Sequence, residues 1–372
     1  MMVAPLISLQ LLLRTMLVCW ATIQLLCYPL WHGLRDYPII PIWDVLLKLP
    51  WFLHDTLFYG GLGCMLLLLW KPNKRWAMIL LVVTICGALL DQNRWQPWHY
   101  QFIWMLAAYV FLQKEKQVIL AWQIILVSVY FFSGLAKLQS AFIHDIWKNL
   151  FLQSWLGITA KNQWILRLGY VMPIAEMGFA LLLLTGSFKK IGVYGLILMH
   201  LLILIWLGPF ARNTIIEVWP WNIAMPFFLV ALFYQRKLEP MLAFFKIKFV
   251  RLLLLACCIL PWLNLGGYWD RNLSFVMYSG GVPLLYICTN NNTVLMQYAS
   301  YMSNHKSAVL PCKFPIPVYQ WALKTIHTSP NTEKRVYAAI VKQWKQLHLG
   351  VEASFYIYKS GFKYTLVKFD PQ

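Results

Sequence analysis

The sequence predicts an all-α polytopic membrane domain of about nine transmembrane helices over residues 1–267, followed by a small α+β extracytoplasmic domain over residues 268–372. Composition is the first observation. Of 372 residues, 60% are hydrophobic and 12% are charged, where a soluble domain carries about 25% charged residues. No aqueous fold hides that much apolar sequence, so the solvent expected around most of the chain is membrane lipid. The second observation is recurrence: apolar stretches of near-spanning length repeat until Gly266-Gly267 and then stop. The third is where the charge lies. A net charge of +19 could suggest nucleic acid, but the basic residues sit in short clusters between apolar runs, as in chains that fix their orientation by positive loops. No nucleic-acid partner is expected.

The elements follow in order. A spanning helix needs about 20 mainly apolar residues, and stretches near 9–30, 53–70, 75–91, 99–113, 118–136, 165–185, 191–208, 218–234 and 249–267 qualify, the shorter ones extended by Trp and Tyr at their ends. Arg14 interrupts the first, so it snorkels or the helix begins after it. Met1–Leu30 lacks the layout of a cleaved leader and is expected to be retained. Short basic loops at 71–75, 114–116, 189–190 and 236–251 alternate with connections at 31–52, 91–98, 137–164 and 209–217. The positive-inside bias puts the first set in the cytoplasm. The expectation is a multi-pass protein of a bacterial cytoplasmic membrane, amino terminus inside and C-terminal domain outside. Pro38, Pro41 and Pro50 make 31–52 a broken, interface-lying segment. Gln139–Trp164 reads as one or two interfacial helices or as an ordinary amphipathic loop.

Beyond Gly267, Leu273–Val276, Leu284–Cys288, Thr293–Gln297, Phe355–Tyr358 and Tyr364–Lys368 read as strands, and Pro330–His348 as a helix with Val336, Ile340, Val341, Trp344 and Leu347 at near-helical spacing. Cys19, Cys27, Cys64, Cys86, Cys257 and Cys258 lie in apolar runs and read as buried small hydrophobes. No Cys-x-x-Cys occurs, and no metal is expected. Cys288 and Cys312 lie outside the spans; a disulfide between them is open if that region is extracytoplasmic.

Charge within a span costs about 2.5–3.5 kcal/mol at a helix centre, so each such residue calls for a reason. Tyr130–Leu138, YFFSGLAKL, ends in Lys137. At a span end this lysine either snorkels to the interface or, in an apolar pocket, has its ammonium disfavoured and offers a neutral amine as base. Asp91-Gln92-Asn93-Arg94-Trp95-Gln96-Pro97-Trp98-His99 packs acid, amides, base and indoles into one turn region, with an Asp91–Arg94 pair as its plain structural reading. Arg212, Glu217 and Trp219-Pro220-Trp221-Asn222 form another polar, aromatic turn, which also suits an aromatic-belt anchor. Glu176 and His200 fall near mid-span, where each faces a polar cavity or a partner, or they pair with one another.

Three motifs then resemble a known family. Tyr130-Phe131-x-x-Gly134-x-x-Lys137-Leu138 resembles the segment of vitamin K-dependent gamma-carboxylase that carries its proposed catalytic lysine. Asp91-x-x-x-Trp95 with Tyr100 resembles that enzyme's Asp/Trp segment, and His200-Leu201 before Ile205-Trp206-Leu207-Gly208 resembles its later His-containing span. The ordered set covers roughly 84–235 and is similar to the wider HTTM family, the horizontally transferred transmembrane domain. The YFFSGLAKL stretch also resembles DoxX-like redox-associated membrane proteins. The first resemblance implies a carboxylase-like, quinol-dependent lyase with a reduced, vitamin K-like quinone as cofactor. Lys137 and His200 would be catalytic. Asp91, Arg94, Trp95, His99, Glu176, Arg212, Trp219 and Asn222 would bind substrate. Trp98 stands where the family has a functional histidine, with His99 one residue beyond, and the family's large lumenal sandwich is replaced by the smaller basic domain. The alternative is a non-catalytic membrane scaffold that displays the C-terminal domain to an extracytoplasmic peptide or protein partner.

Overall fold

The computed structural model describes residues 7–159, 162–208, 216–234, 236, 244–302, 310–359 and 365–371. Helix covers the core of each of the nine expected stretches. Among the described residues, six helices are long and apolar enough to cross a membrane: Leu9–Leu26, Phe52–Trp70, Glu115–Ala136, Gln163–Leu182, Lys189–Leu207 and Lys248–Gly266. Lys74–Leu90 and Pro97–Phe111 have 17 and 15 residues and fall short of that length, as does the apolar helix Val218–Tyr234. The helix ends follow local chemistry. Ser8 and Asn73 cap the helices after them by accepting from Leu11 N and Arg75 N, and Pro97 opens its helix where a backbone N–H would be unpaired anyway.

Glu115–Ala136 is the central helix: 89% of its apolar window is buried, against 22–44% for the other five long helices. Its last turns carry the YFFSGLAKL stretch into the middle of the bundle. The connection after it contains a wide, π-type helix, Phe142–Trp155, so a helix does lie within 139–164.

The C-terminal segment holds one antiparallel sheet of four strands, ordered β2-β1-β3-β4. They are β1 Leu284–Thr289, β2 Ile316–Pro317, β3 Ala353–Lys359 and β4 Thr365–Lys368. Tyr286 of β1 stands opposite Pro317 on one side and Tyr356 on the other, and Tyr356 opposite Lys368. Lys334–Leu347 lays Trp344 against Phe355 of β3, ring centroids 5.7 Å apart. Cys288 and Cys312 are disulfide-bonded.

Two expected strands are corrected. Thr293–Gln297 lies in the helix Asn292–Gln297, because Asn291 accepts from Val294 N and starts a helical turn. Leu273–Val276 is not extended either: Asp270 accepts from Asn272 N and Leu273 N and curls the chain into a turn. The sequence reading also missed the helix Val318–Ile326, which buries Val318, Trp321, Ala322 and Ile326.

The C-terminal segment is bonded to the ends of the apolar helices. Asn331 N donates to Asn93 Oδ1 at 3.1 Å, and Arg335 Nε donates to Gln92 Oε1 at 2.7 Å. Gln96 Nε2 donates to Ser329 O at 2.9 Å, and Gln343 Nε2 to Ile39 O at 2.8 Å. At Gly280 (φ +68°) the chain approaches Ala141 so closely that a Cβ would lie 2.6 Å from its carbonyl oxygen. The connections at 31–52, 91–98 and 137–164 therefore meet the C-terminal segment.

Candidate functional site

Tyr130, Ser133 and Lys137 stand three and four residues apart and share one face of Glu115–Ala136 and its cap. Lys137 does not reach into an empty apolar pocket. Its Nζ lies 2.7 Å from Glu176 Oε2 and 2.6 Å from Ser133 Oγ, with only 11% of the lysine side chain and 7% of the glutamate exposed. Glu176 comes from Gln163–Leu182, which packs directly on the central helix. Gly134 allows this approach: a Cβ there would lie 2.7 Å from Met177 Cγ and 2.9 Å from Pro173 O.

His200 belongs to a second chain of bonds on the same face. Its Nδ1 is 2.7 Å from Asn222 Oδ1, and its Nε2 is 2.8 Å from the Tyr130 hydroxyl. Asn222 Nδ2 donates to Val218 O at 2.8 Å, which leaves Oδ1 as the acceptor. His200 thus carries its proton on Nδ1, and Tyr130 O–H donates to Nε2. Glu176 and His200 do not pair with one another. Each has its own partner from the central helix.

The Asp91 region is a different construction. Asp91 is fully buried and pairs with Arg35, not Arg94. It also accepts from Ile40 N, Asn93 N and Asn93 Nδ2 at 3.3, 3.1 and 3.0 Å. Arg94 donates to Leu30 O, Gly87 O and Trp31 O, contacts His54 Nδ1 at 2.9 Å, and lies over the Trp31 ring. His99 accepts from Trp20 Nε1 at 3.0 Å. Trp95 packs edge-on against Tyr100, and Trp219 donates to Leu207 O. These bonds tie the first connection to the turn before Pro97–Phe111. Among the described residues, no hydrogen bond, ion pair or ring contact joins Asp91, Arg94 or His99 to Lys137 or His200. Arg212 lies outside the described residues.

A cavity of about 410 Å³ opens where the helix ends meet the C-terminal segment. Gln96, Trp98, Asp145, Leu207, Glu217, Trp221, Arg271 and Tyr319 are among its lining residues. Glu217, 3% exposed, accepts from Thr328 Oγ1 at 2.7 Å through Oε1. Its Oε2 has no hydrogen-bond partner among the described residues. Burial pushes its carboxyl up to about 7, and the Thr328 hydroxyl pulls the other way. Neither this cavity nor the much smaller one beside Arg94 is lined by Lys137 or His200.

Of the residues singled out in the sequence, the structure brings together Lys137 with Glu176 and His200 with Asn222. Ser133, Tyr130 and Arg35 were missed as partners. Ser133 and Tyr130 had a signal in their i−4 and i−7 spacing from Lys137; Arg35, 56 residues before Asp91, had none. Comparison with known proteins finds no matching family model, curated protein or solved structure.

Proposed function

We propose that this chain is a multi-pass membrane enzyme of an HTTM-like kind in which Lys137 and Glu176 transfer a proton and Tyr130, His200 and Asn222 form the adjoining relay. The proposal includes nine crossings, an amino terminus in the cytoplasm and a C-terminal segment on the opposite side. The 2.7 Å Lys137–Glu176 pair, set between apolar helices, carries the reading. A buried ion pair is often no better for stability than an apolar pair of similar volume, and an ionisable residue within a span is by default a functional candidate. Here an acid and a base share one bond, with an imidazole accepting from a phenol about two helical turns away on the same face.

A reduced quinone, the cofactor implied by the resemblance, would need space beside Lys137. The Lys137 Nζ is engaged by Glu176 and Ser133, Gly134 is in contact with Met177 and Pro173, and neither cavity borders the lysine. These residues do not fit a quinone ring there.

One observation favours the scaffold alternative: the C-terminal segment is bonded to the helix ends through Thr328, Ser329, Asn331 and Arg335, which would hold it in a fixed pose for a peptide or protein partner. Single and paired variants separate the readings. Lys137→Met and Glu176→Leu are each expected to destabilise the purified protein by about 3–5 kcal/mol, and the double variant to regain most of that loss. In a deletion strain, proton transfer predicts that the double variant accumulates normally yet fails to complement. Full complementation by the double variant would sink the enzyme reading and leave the scaffold.

A further inference from the structure

The junction cavity is independent of the Lys137 and His200 groups, and its volume of about 410 Å³ lies within the range of small-molecule sites. Trp98, Leu150, Leu207, Trp221 and Met277 give it an apolar wall. Three lining side chains nevertheless hold a buried polar atom with no partner among the described residues: Glu217 Oε2, Asn272 Nδ2 and Trp98 Nε1. Each such atom costs about 1–3 kcal/mol if nothing meets it. Above about pH 7, where Glu217 is ionised, one is an acceptor and two are donors. The other charged lining residues are already engaged, Arg271 with Ser279 and Gly280 O, and Asp145 with Gly281 N. The wall thus asks for an apolar body bearing a group that both donates and accepts, and a hydroxyl is the smallest group that does so.

We propose that this cavity binds a neutral, apolar hydroxylated molecule of the phenol type, with Glu217 accepting from its hydroxyl and Asn272 or Trp98 donating to its oxygen. A bulkier ionised ligand fits less well: an anion meets the Glu217 carboxyl, and the Arg271 guanidinium that would balance it is turned to its own chain. The site does not rest on the proton-transfer reading of Lys137.

The test uses the full-length protein in detergent and three probes of nearly equal apolar body. Thymol donates and accepts, its methyl ether only accepts, and cymene does neither. Titration calorimetry at about pH 8.5, above the Glu217 value of about 7, is expected to show saturable thymol binding at least about tenfold tighter than the ether or cymene, the size of one hydrogen bond to a charged acceptor. Glu217→Gln should remove most of the advantage of thymol over the ether, because an amide turned to the ligand donates. Leu323→Trp, which fills the cavity from a partly buried position, should abolish saturable binding of every probe. If Glu217→Gln fails to fold, Leu323→Trp and the three-probe ranking in the unaltered protein still decide. Equal affinities for the three probes, thymol binding unchanged in Leu323→Trp, or unsaturable partitioning alone, as a cavity holding only water would give, overturns the proposal.

Discussion

Thr328 donates a hydrogen bond of 2.7 Å to Glu217, across 111 residues of sequence. The bond fastens the turn after Val318–Ile326 to the start of Val218–Tyr234, and it satisfies one carboxyl oxygen while the other has no partner among the described residues.

That carboxyl makes stability depend on pH. Its folded value of about 7 stands above the ordinary 4.5 because burial disfavours the charged form. The folded state therefore holds the proton more tightly than the unfolded chain. The associated stability is fully present below about pH 4.5 and is lost as pH rises through about 7. The full swing is about 3 kcal/mol. Thermal melting between pH 4.5 and 8 should show this decline, and Glu217→Gln should flatten it. Melting that is flat with pH in the unaltered protein would rule the idea out.

Asp91→Ala should destabilise the protein by about 3–5 kcal/mol, since it strands the Arg35 guanidinium, whose side chain is only 2% exposed. Denaturation in mild detergent measures the loss. Arg94→Ala should be similarly harmful, because Gly87 O and Trp31 O lose this donor and Leu30 O is left with Arg35 alone. A small effect of either change would mean that the turn is not held by these bonds.

Gly134→Ala should cost about 1–3 kcal/mol by forcing the central helix away from Met177 and Pro173 O. Gly178→Ala, on the facing helix, meets nothing within 4 Å and should be neutral or slightly stabilising. Equal melting temperatures for the two variants would show that the helices are not in such close contact.

The pairing of Cys288 with Cys312 bears on orientation, because disulfides persist on the oxidising side of a membrane. Of eight cysteines, only six should be alkylated when the chain is denatured without reductant, matching the six free ones. Replacing both paired cysteines by serine should cost about 3 kcal/mol for a loop of 24 residues. Alkylation of all eight would argue for a reducing compartment.

The sequence made the apolar helices legible because hydrocarbon leaves a compositional mark that does not depend on tertiary contacts. The same holds for Lys334–Leu347, whose buried Val336, Ile340, Val341 and Trp344 recur at helical spacing. Val318–Ile326 carries that signal too, at Val318, Trp321, Ala322 and Ile326, but over only nine residues, where few repeats of the period can show. Asn291 illustrates an ambiguous residue: it suits both a turn and a helix cap, and only the bond to Val294 N decides. At the candidate site, the isolated charges were visible and their partners were not. Lys137 finds Glu176 at a distance of 39 residues and Asp91 finds Arg35 at 56, and no local rule selects between Arg35 and the nearer Arg94.

The bonds from Asn331 to Asn93 and Gln92 span 238 and 239 residues, and this has a consequence for biogenesis. During synthesis the turn at 91–96 leaves the ribosome long before its partner exists. Asn93 is wholly buried in the finished protein and Gln92 nearly so, so until the last segment arrives their amides must stay wet or borrow another partner. Residues 329–335 thus act as a keystone set after the turn they close. A chain lacking residues from 331 on would leave Asn93 Oδ1 and Gln92 Oε1 without these donors.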